Sequence, residues 1–81
     1  MKAFHLTVAR VGETLFEGEV ISCEAPGVDG IFTVYAEHEP FVSTLAKGVV
    51  RIKTADGTHK DIQIEEQGLA EVSEHQATIL V

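Results

Sequence analysis

The chain has no tryptophan, one cysteine, two prolines and one tyrosine in 81 residues. A single thiol, Cys23, excludes an intramolecular disulfide, and a small domain without disulfides points to a reducing compartment. Two prolines exclude a rigid linker or a polyproline ligand. Cations are scarce: six Lys and Arg face thirteen Asp and Glu, for a formal charge of −7. Such a surface repels phosphate backbones and anionic head groups, so neither nucleic acid nor direct lipid insertion is expected. No apolar run approaches the roughly 20 residues of a membrane-spanning helix. The start, Met1-Lys2-Ala3-Phe4-His5, lacks the apolar region of a signal peptide, and a soluble cytoplasmic protein is expected. What remains is ordinary: 44% hydrophobic and 23% charged residues describe a chain that folds, and its length accommodates one domain over residues 1–81.

Hydrophobic periodicity predicts strands nearly throughout. Phe4, Leu6 and Val8 alternate with His5, Thr7 and Ala9, which puts three apolar side chains on one face of a pleated segment. Between Thr14 and Glu24 the phase changes: Phe16 and Val20 share one parity, Ile21 and Cys23 the other. A bulge or bend near Gly18 is expected. Ala25-Pro26-Gly27-Val28-Asp29-Gly30 reads as a loop, after which Phe32 and Val34 resume the alternation. Val50 and Ile52 precede, and Ile62 and Ile64 follow, an Asp56-Gly57 hairpin signal. A two-residue loop would place Ile52 opposite Asp61, so parity predicts an odd-numbered loop that pairs Ile52 with Ile62 and Lys53 with Asp61. Short strands at Leu69 to Val72 and Ala77 to Val81 complete the pattern. Pro40 and Gly48 would suit the ends of a helical turn over Phe41 to Leu45, and local rules leave helix and strand both open there. Many short strands between turns describe an all-β protein, a sandwich or small barrel.

Catalytic and metal-binding patterns are missing. His5, His38, His59 and His75 have no compact ligand spacing, and in an extended Glu37-His38-Glu39 the carboxylates point away from the imidazole. His38 is therefore expected to be an exposed loop histidine. Ser22, Ser43 and Ser73 lack a nucleophile elbow, and Cys23 in a strand is expected to be a buried core thiol. No glycine-rich phosphate loop occurs. Charge is uneven: residues 1–39 carry two cations against seven carboxylates, whereas residues 47–60 carry Lys47, Arg51, Lys53 and Lys60 against Asp56 alone. This basic hairpin is either a partner-facing patch or, the more frequent case, neutralised by Asp61, Glu65 and Glu66 on the adjacent strand. A small, rigid β protein without a catalytic constellation works by binding.

The stretch APGVDGIFTVYAEHEPFVSTLAKGVVRI, Ala25 to Ile52, resembles the N-terminal domain of the epsilon subunit of F-type ATP synthases, called delta in mitochondria. His38, Pro40, Leu45, Gly48, Arg51 and Ile52 match a P-G-H-A-P-L-type motif followed by T-x-L-x-x-G-x-x-x-I. The start is similar too, with His5-Leu6-x-Val8 and then Leu15-Phe16-x-Gly18-x-Val20. So is the end, with Gly68-Leu69-x-Glu71-Val72 and Ala77-Thr78-Ile79-Leu80. Ala36-Glu37 stands where the family has Pro-Gly, Glu39 where it has alanine, and Gln67 where it has the first glycine of a pair.

The resemblance implies a ten-stranded β-sandwich, or flattened barrel, that serves as a central-stalk rotor subunit and couples ion-driven rotation to ATP synthesis without any catalytic, cofactor or metal site of its own. It implies gamma and the c-ring as partners, and a peripheral place on the cytoplasmic face of the bacterial inner membrane. Carried over by position, Arg10, His38, Pro40, Phe41, Val42 and Ser43 face gamma, and Asp29, Gly30 and Ile31 approach the c-ring. It also favours an extended Phe41 to Leu45. The C-terminal helical hairpin common in the family does not occur in this sequence, so no ATP binding is expected. The alternatives are an unrelated β-sandwich that binds a ligand or peptide, and a metal-dependent enzyme built on the His38 cluster.

Overall fold

The computed structural model describes residues 2–81 and contains six strands: β1 (Phe4–Arg10), β2 (Glu13–Gly27), β3 (Gly30–Tyr35), β4 (Phe41–Thr54), β5 (His59–Val72) and β6 (Gln76–Leu80). Sheet order is β1-β6-β5-β4-β2-β3, and an additional β1–β2 pairing closes the first five strands into a flattened barrel with β3 outside the ring. All pairings are antiparallel except β1–β6. Strands β2, β4 and β5 are each 14 or 15 residues long and pass through both layers of the sandwich, so counting their halves separately brings six strands toward the expected ten.

One layer joins the first half of β2, β1, β6, the second half of β5 and the first half of β4. The other joins β3 to the remaining halves of β2, β4 and β5. The alternation reads directly onto this arrangement: Phe4, Leu6 and Val8 point inward from β1 and meet Val20, Cys23, Leu45, Val50, Ile52, Ile64 and Ile79 in one core. No charged or polar residue is buried among those described. Burial of these apolar surfaces outweighs the loss of chain entropy in so short a sequence.

Several local expectations need correcting. No helix forms: Phe41 to Leu45 is the start of β4, because pairing with Val72 to Gly68 of β5 supplies its backbone with partners and buries Leu45. The predicted loop at Ala25–Gly30 is mostly strand, with only Val28 and Asp29 in the turn. The phase change in β2 is not at Gly18, which pairs regularly with Leu6. The register shifts lie on either side of it, opposite Val8/Ala9 and between Val20 and Ser22.

The β4–β5 loop is odd-numbered, as parity requires, but it spans Ala55, Asp56 and Gly57, so Ile52 faces Lys60, Lys53 faces His59 and Val50 faces Ile62. Asp56 decides this: its carboxylate accepts from the Thr54 hydroxyl and from the Thr58 amide at 3.0 Å, and the Thr54 amide donates to the Thr58 carbonyl at 2.8 Å. These bonds, the Thr54 one foremost, hold the Asp56 carboxyl down at about 2. At Gly68 the end of the neighbouring strand β6 comes so close that an added Cβ would sit 2.5 Å from the Leu80 carbonyl oxygen, which is why that strand position has no side chain.

Candidate interaction surfaces

Cys23 is 1% exposed, and desolvation pushes its thiol up to about 12, so it is the inert core residue the pattern predicts. Among the described residues no cluster of three or more His, Cys, Asp or Glu could hold a metal ion. On the outside, eight large hydrophobic side chains remain exposed among the described residues.

The first group lies at the start of β4. Val42 is 65% exposed and pairs with Glu71; the next outward row sets Thr44 beside Leu69 and Leu69 beside Leu80, both partly open. An open depression of about 480 Å³ lies alongside, lined by Pro40, Phe41, Val42, Glu71, Gln76 and Thr78. Phe41 points the other way and meets Phe32 of β3 edge-to-face, with ring centroids 5.3 Å apart, which fixes the start of β4 against β3. Ser43 donates to the neighbouring Thr44 carbonyl at 3.2 Å.

His38 is not the exposed loop residue expected. Its ring stands edge-on to Phe4 at 5.2 Å, and neither ring nitrogen has a hydrogen-bond partner. Desolvation lowers its pKa below the ordinary imidazole value. The backbone turns into this position at Glu37, whose φ of 62° is the left-handed conformation that suits the glycine found there in the resembled motif. Lys2 binds Glu37 at 2.8 Å.

His5, by contrast, projects outward from β1 between Glu19, directly opposite, and Glu17, diagonally placed, at 3.2 and 3.1 Å. Its pKa is raised, first by the hydrogen bond to Glu17 and then by that to Glu19.

Arg10 lies apart from His38 and Pro40–Ser43. It sits at the far end of β1, ~16 Å of strand beyond His5, beside Glu13 at 3.8 Å and near Gln63, Glu65 and Val81. The outward row Ala9, Leu80, Leu69, Thr44 crosses the sheet between these two places.

Asp29, Gly30 and Ile31 form the tip of the β2–β3 hairpin with Val28. Ile31 is 72% exposed, and Val28, also exposed, anchors the tip to β4 by donating its amide to the Thr44 carbonyl at 3.0 Å. Thr44 thus joins both groups, and they form adjoining surfaces. Leu69, Leu80 and Val28 were missed in the sequence. The only available signal for the first two was parity, since Leu69 and Leu80 alternate with the inward Ala70 and Ile79.

The basic hairpin is not neutralised as expected. Arg51 approaches Glu24 of β2 at 3.8 Å, Lys60 lies 5.9 Å from the centre of the Phe16 ring, and among the described residues no cation contacts Asp61, Glu65 or Glu66 within 4 Å. The β4–β5 ladder puts Arg51 opposite Asp61 on the outer face without closing the pair, whereas Lys60 stands opposite Ile52 and shares its face.

Comparison with known proteins agrees with this architecture. The family model for the β-sandwich domain of the ATP synthase delta/epsilon chain matches residues 3–81. An ATP synthase epsilon chain from Chlorobium limicola is 39% identical over 98% of this chain and 89% of its own length. One from a Bradyrhizobium strain is 44% identical over 99% of this chain, which spans 58% of that relative. Among solved structures, a chain of the Euglena gracilis mitochondrial ATP synthase superposes with a TM-score of 0.90 at 25% identity, over 98% of this chain and 50% of that one. A Tetrahymena thermophila mitochondrial ATP synthase chain shares the fold, with a TM-score of 0.80 at 10% identity, over 99% of this chain and 63% of that one. Together with the closed sandwich and its strand order, these matches establish that this chain belongs to the ATP synthase delta/epsilon family and carries its β-sandwich domain.

Proposed function

We propose that this protein is a central-stalk subunit of an F-type ATP synthase, a single rigid β domain over residues 1–81 that binds gamma and the c-ring and helps transmit ring rotation to catalytic sites on other subunits. The observation that carries this reading is the pair of adjoining exposed apolar surfaces, Val42–Leu69–Leu80 and Val28–Ile31, on a closed barrel. A transmission part needs stiffness and two contact areas, and it needs no catalytic group. Gamma is assigned to the surface around His38, Pro40, Phe41, Val42 and Ser43, with Arg10 as a separate contact at its far side. The c-ring is assigned to Asp29, Gly30 and Ile31. The chain itself catalyses nothing, and it works as a peripheral part of the complex on the cytoplasmic face of the bacterial inner membrane. Membership of the family supports this reading over an unrelated ligand-binding sandwich, and the half-buried His38 ring, packed edge-on against Phe4, speaks against a metal enzyme there.

The test is co-purification. Val42→Asp combined with Leu80→Asp should abolish recovery of gamma with the tagged chain while its far-UV spectrum stays that of the wild type. Undiminished recovery of gamma would reject the assignment.

A further inference from the structure

The two signs of charge are segregated on the surface. Across the layer that holds β1 and β6, one outward row runs Val42, Glu71, Thr78, Thr7 and Glu17, in the strand order β4-β5-β6-β1-β2. On one side of it lies the row with Leu69 and Leu80, and on the other His5 beside Glu19. No lysine or arginine stands on these rows. Lys47, Arg51, Lys53 and Lys60 belong to the second half of β4 and the start of β5, in the other layer, while Lys2 and Arg10 sit at the margins beside Glu37 and Glu13. His5 lies against Glu17 and Glu19 at 3.1 and 3.2 Å, so those two carboxylates have a counter-group within the chain. Glu71 has none: among the described residues no cationic side chain comes within 4 Å of it.

Glu71 also occupies the most apolar part of that face. Val42 is beside it on β4, Leu69 precedes it on the same outward side of β5, and Glu71 shares the lining of the open depression with Pro40, Phe41 and Val42. A partner that covers Val42 and Leu69 therefore strips water from Glu71 as well. A carboxylate taken out of water without a cation or a hydrogen-bond donor costs more than one such apolar contact returns. Because this face holds no lysine or arginine, the partner has to supply the counter-charge. We infer that Glu71 is a specificity-determining residue of this surface, and that the segment of gamma docking here brings a lysine or arginine to its carboxylate together with apolar side chains over Val42, Leu69 and Leu80. The depression suits such a side chain: its apolar walls take the methylene stem while the charged head reaches Glu71. Glu17 is a separate point on the row, three strand spacings or about 14 Å away, too far for the same cation to serve both. The same face of a second copy has no lysine or arginine to offer and is excluded as the occupant. The name of the partner rests on the stalk reading, whereas its chemistry rests on the face itself.

The experiment measures binding of the full chain to the gamma-containing catalytic sector of the same organism, purified without this subunit, by biolayer interferometry at about 0.05 and about 0.5 M NaCl. The wild-type chain should bind, and more weakly at the higher salt. Glu71→Gln keeps the shape and removes the charge; it should weaken binding by about 30-fold, and Glu71→Lys by more. Asp61→Lys makes the same charge reversal on the outer face of the other layer and should stay within about threefold of wild type. All three variants should keep wild-type circular dichroism, since both positions are exposed. Glu71→Gln binding as tightly as wild type would overturn the inference. So would Asp61→Lys losing as much as Glu71→Lys, because net charge alone would then account for the effect. In both cases gamma is still bound and the stalk reading stands, whereas a wild-type chain that fails to bind at either salt overturns the two together.

Discussion

The wall made of β1, β6 and the second half of β5 and the rim made of the β2–β3 tip, β3 and the start of β4 use the same residue types in opposite ways. On the wall, Leu6, Val8, Ala70 and Ile79 are closed off from water, and both sides of each strand are paired. On the rim, Ile31 and Val42 stand in solvent, and β3 has a free side. Closing a sheet into a barrel removes its edges at the wall. The chain reversals at Val28–Asp29 and Ala36–Pro40 let β3 stay outside the ring. The lesson is that apolar surface turned into the core stabilises the fold, while apolar surface left outside, at the rim and at Leu69 and Leu80 on the outer face of the wall, is available to a partner.

This contrast is broken most severely from the wall side. Leu6→Ala should destabilise the fold by about 3 kcal/mol through lost burial and a residual cavity, a fall of roughly 15 °C in Tm for a domain of this size. Gly68→Ala drives a methyl group into the Leu80 carbonyl and should cost about 2 kcal/mol, measured by urea denaturation with an unchanged m-value. At the rim, Ile31→Ser should leave stability within about 0.5 kcal/mol of wild type; a larger loss would show that the tip belongs to the folding core after all.

The two histidines sharpen the comparison through pH. His5 gains two carboxylate partners and its folded pKa rises, so its contribution is complete below about 6.5 and is lost as pH climbs through the raised value. His38 is desolvated at the rim and its folded pKa falls, so its contribution is present above about 6.5 and is lost as pH drops through the lowered value. His5→Gln should accordingly lower Tm more at pH 5.5 than at pH 8, and His38→Asn should flatten the decline of Tm on acidification. Imidazole shifts followed by NMR would show the two rings titrating on opposite sides of about 6.5. The smallest expected effect is at Glu37. Glu37→Gly would relieve a left-handed backbone and lose an exposed ion pair with Lys2, for a small net rise in Tm by thermal melting.

Much of the core was legible in the sequence because period-two alternation at Phe4–Val8 and Val50–Ile64 dictates which side chains share a face. The buried thiol of Cys23 followed from the same pattern. Register was not legible. Asp56-Gly57 announces a hairpin, but the Asp56 carboxylate's bonds to Thr54 and Thr58 choose which three residues form the loop, and pairing moves by two positions with the faces unchanged. The rim was read mainly through resemblance, which named Val42, His38 and Ile31 as contacts but offered no sign that Leu69 and Leu80 extend the same surface. His38 was misjudged because the packing of Phe4 against it joins residues far apart in the chain.

The sequence by itself determined an acidic, all-β protein with one core, because composition and alternation are local properties that every strand carries with it. Tertiary structure alone decided which apolar residues stay outside. Leu69 and Ala70 are neighbours in the chain, yet one faces the core and the other the solvent, and only the closure of β1 onto both β2 and β6 establishes which side of the sheet is the interior. The same closure leaves β3 outside the ring, paired with β2 alone.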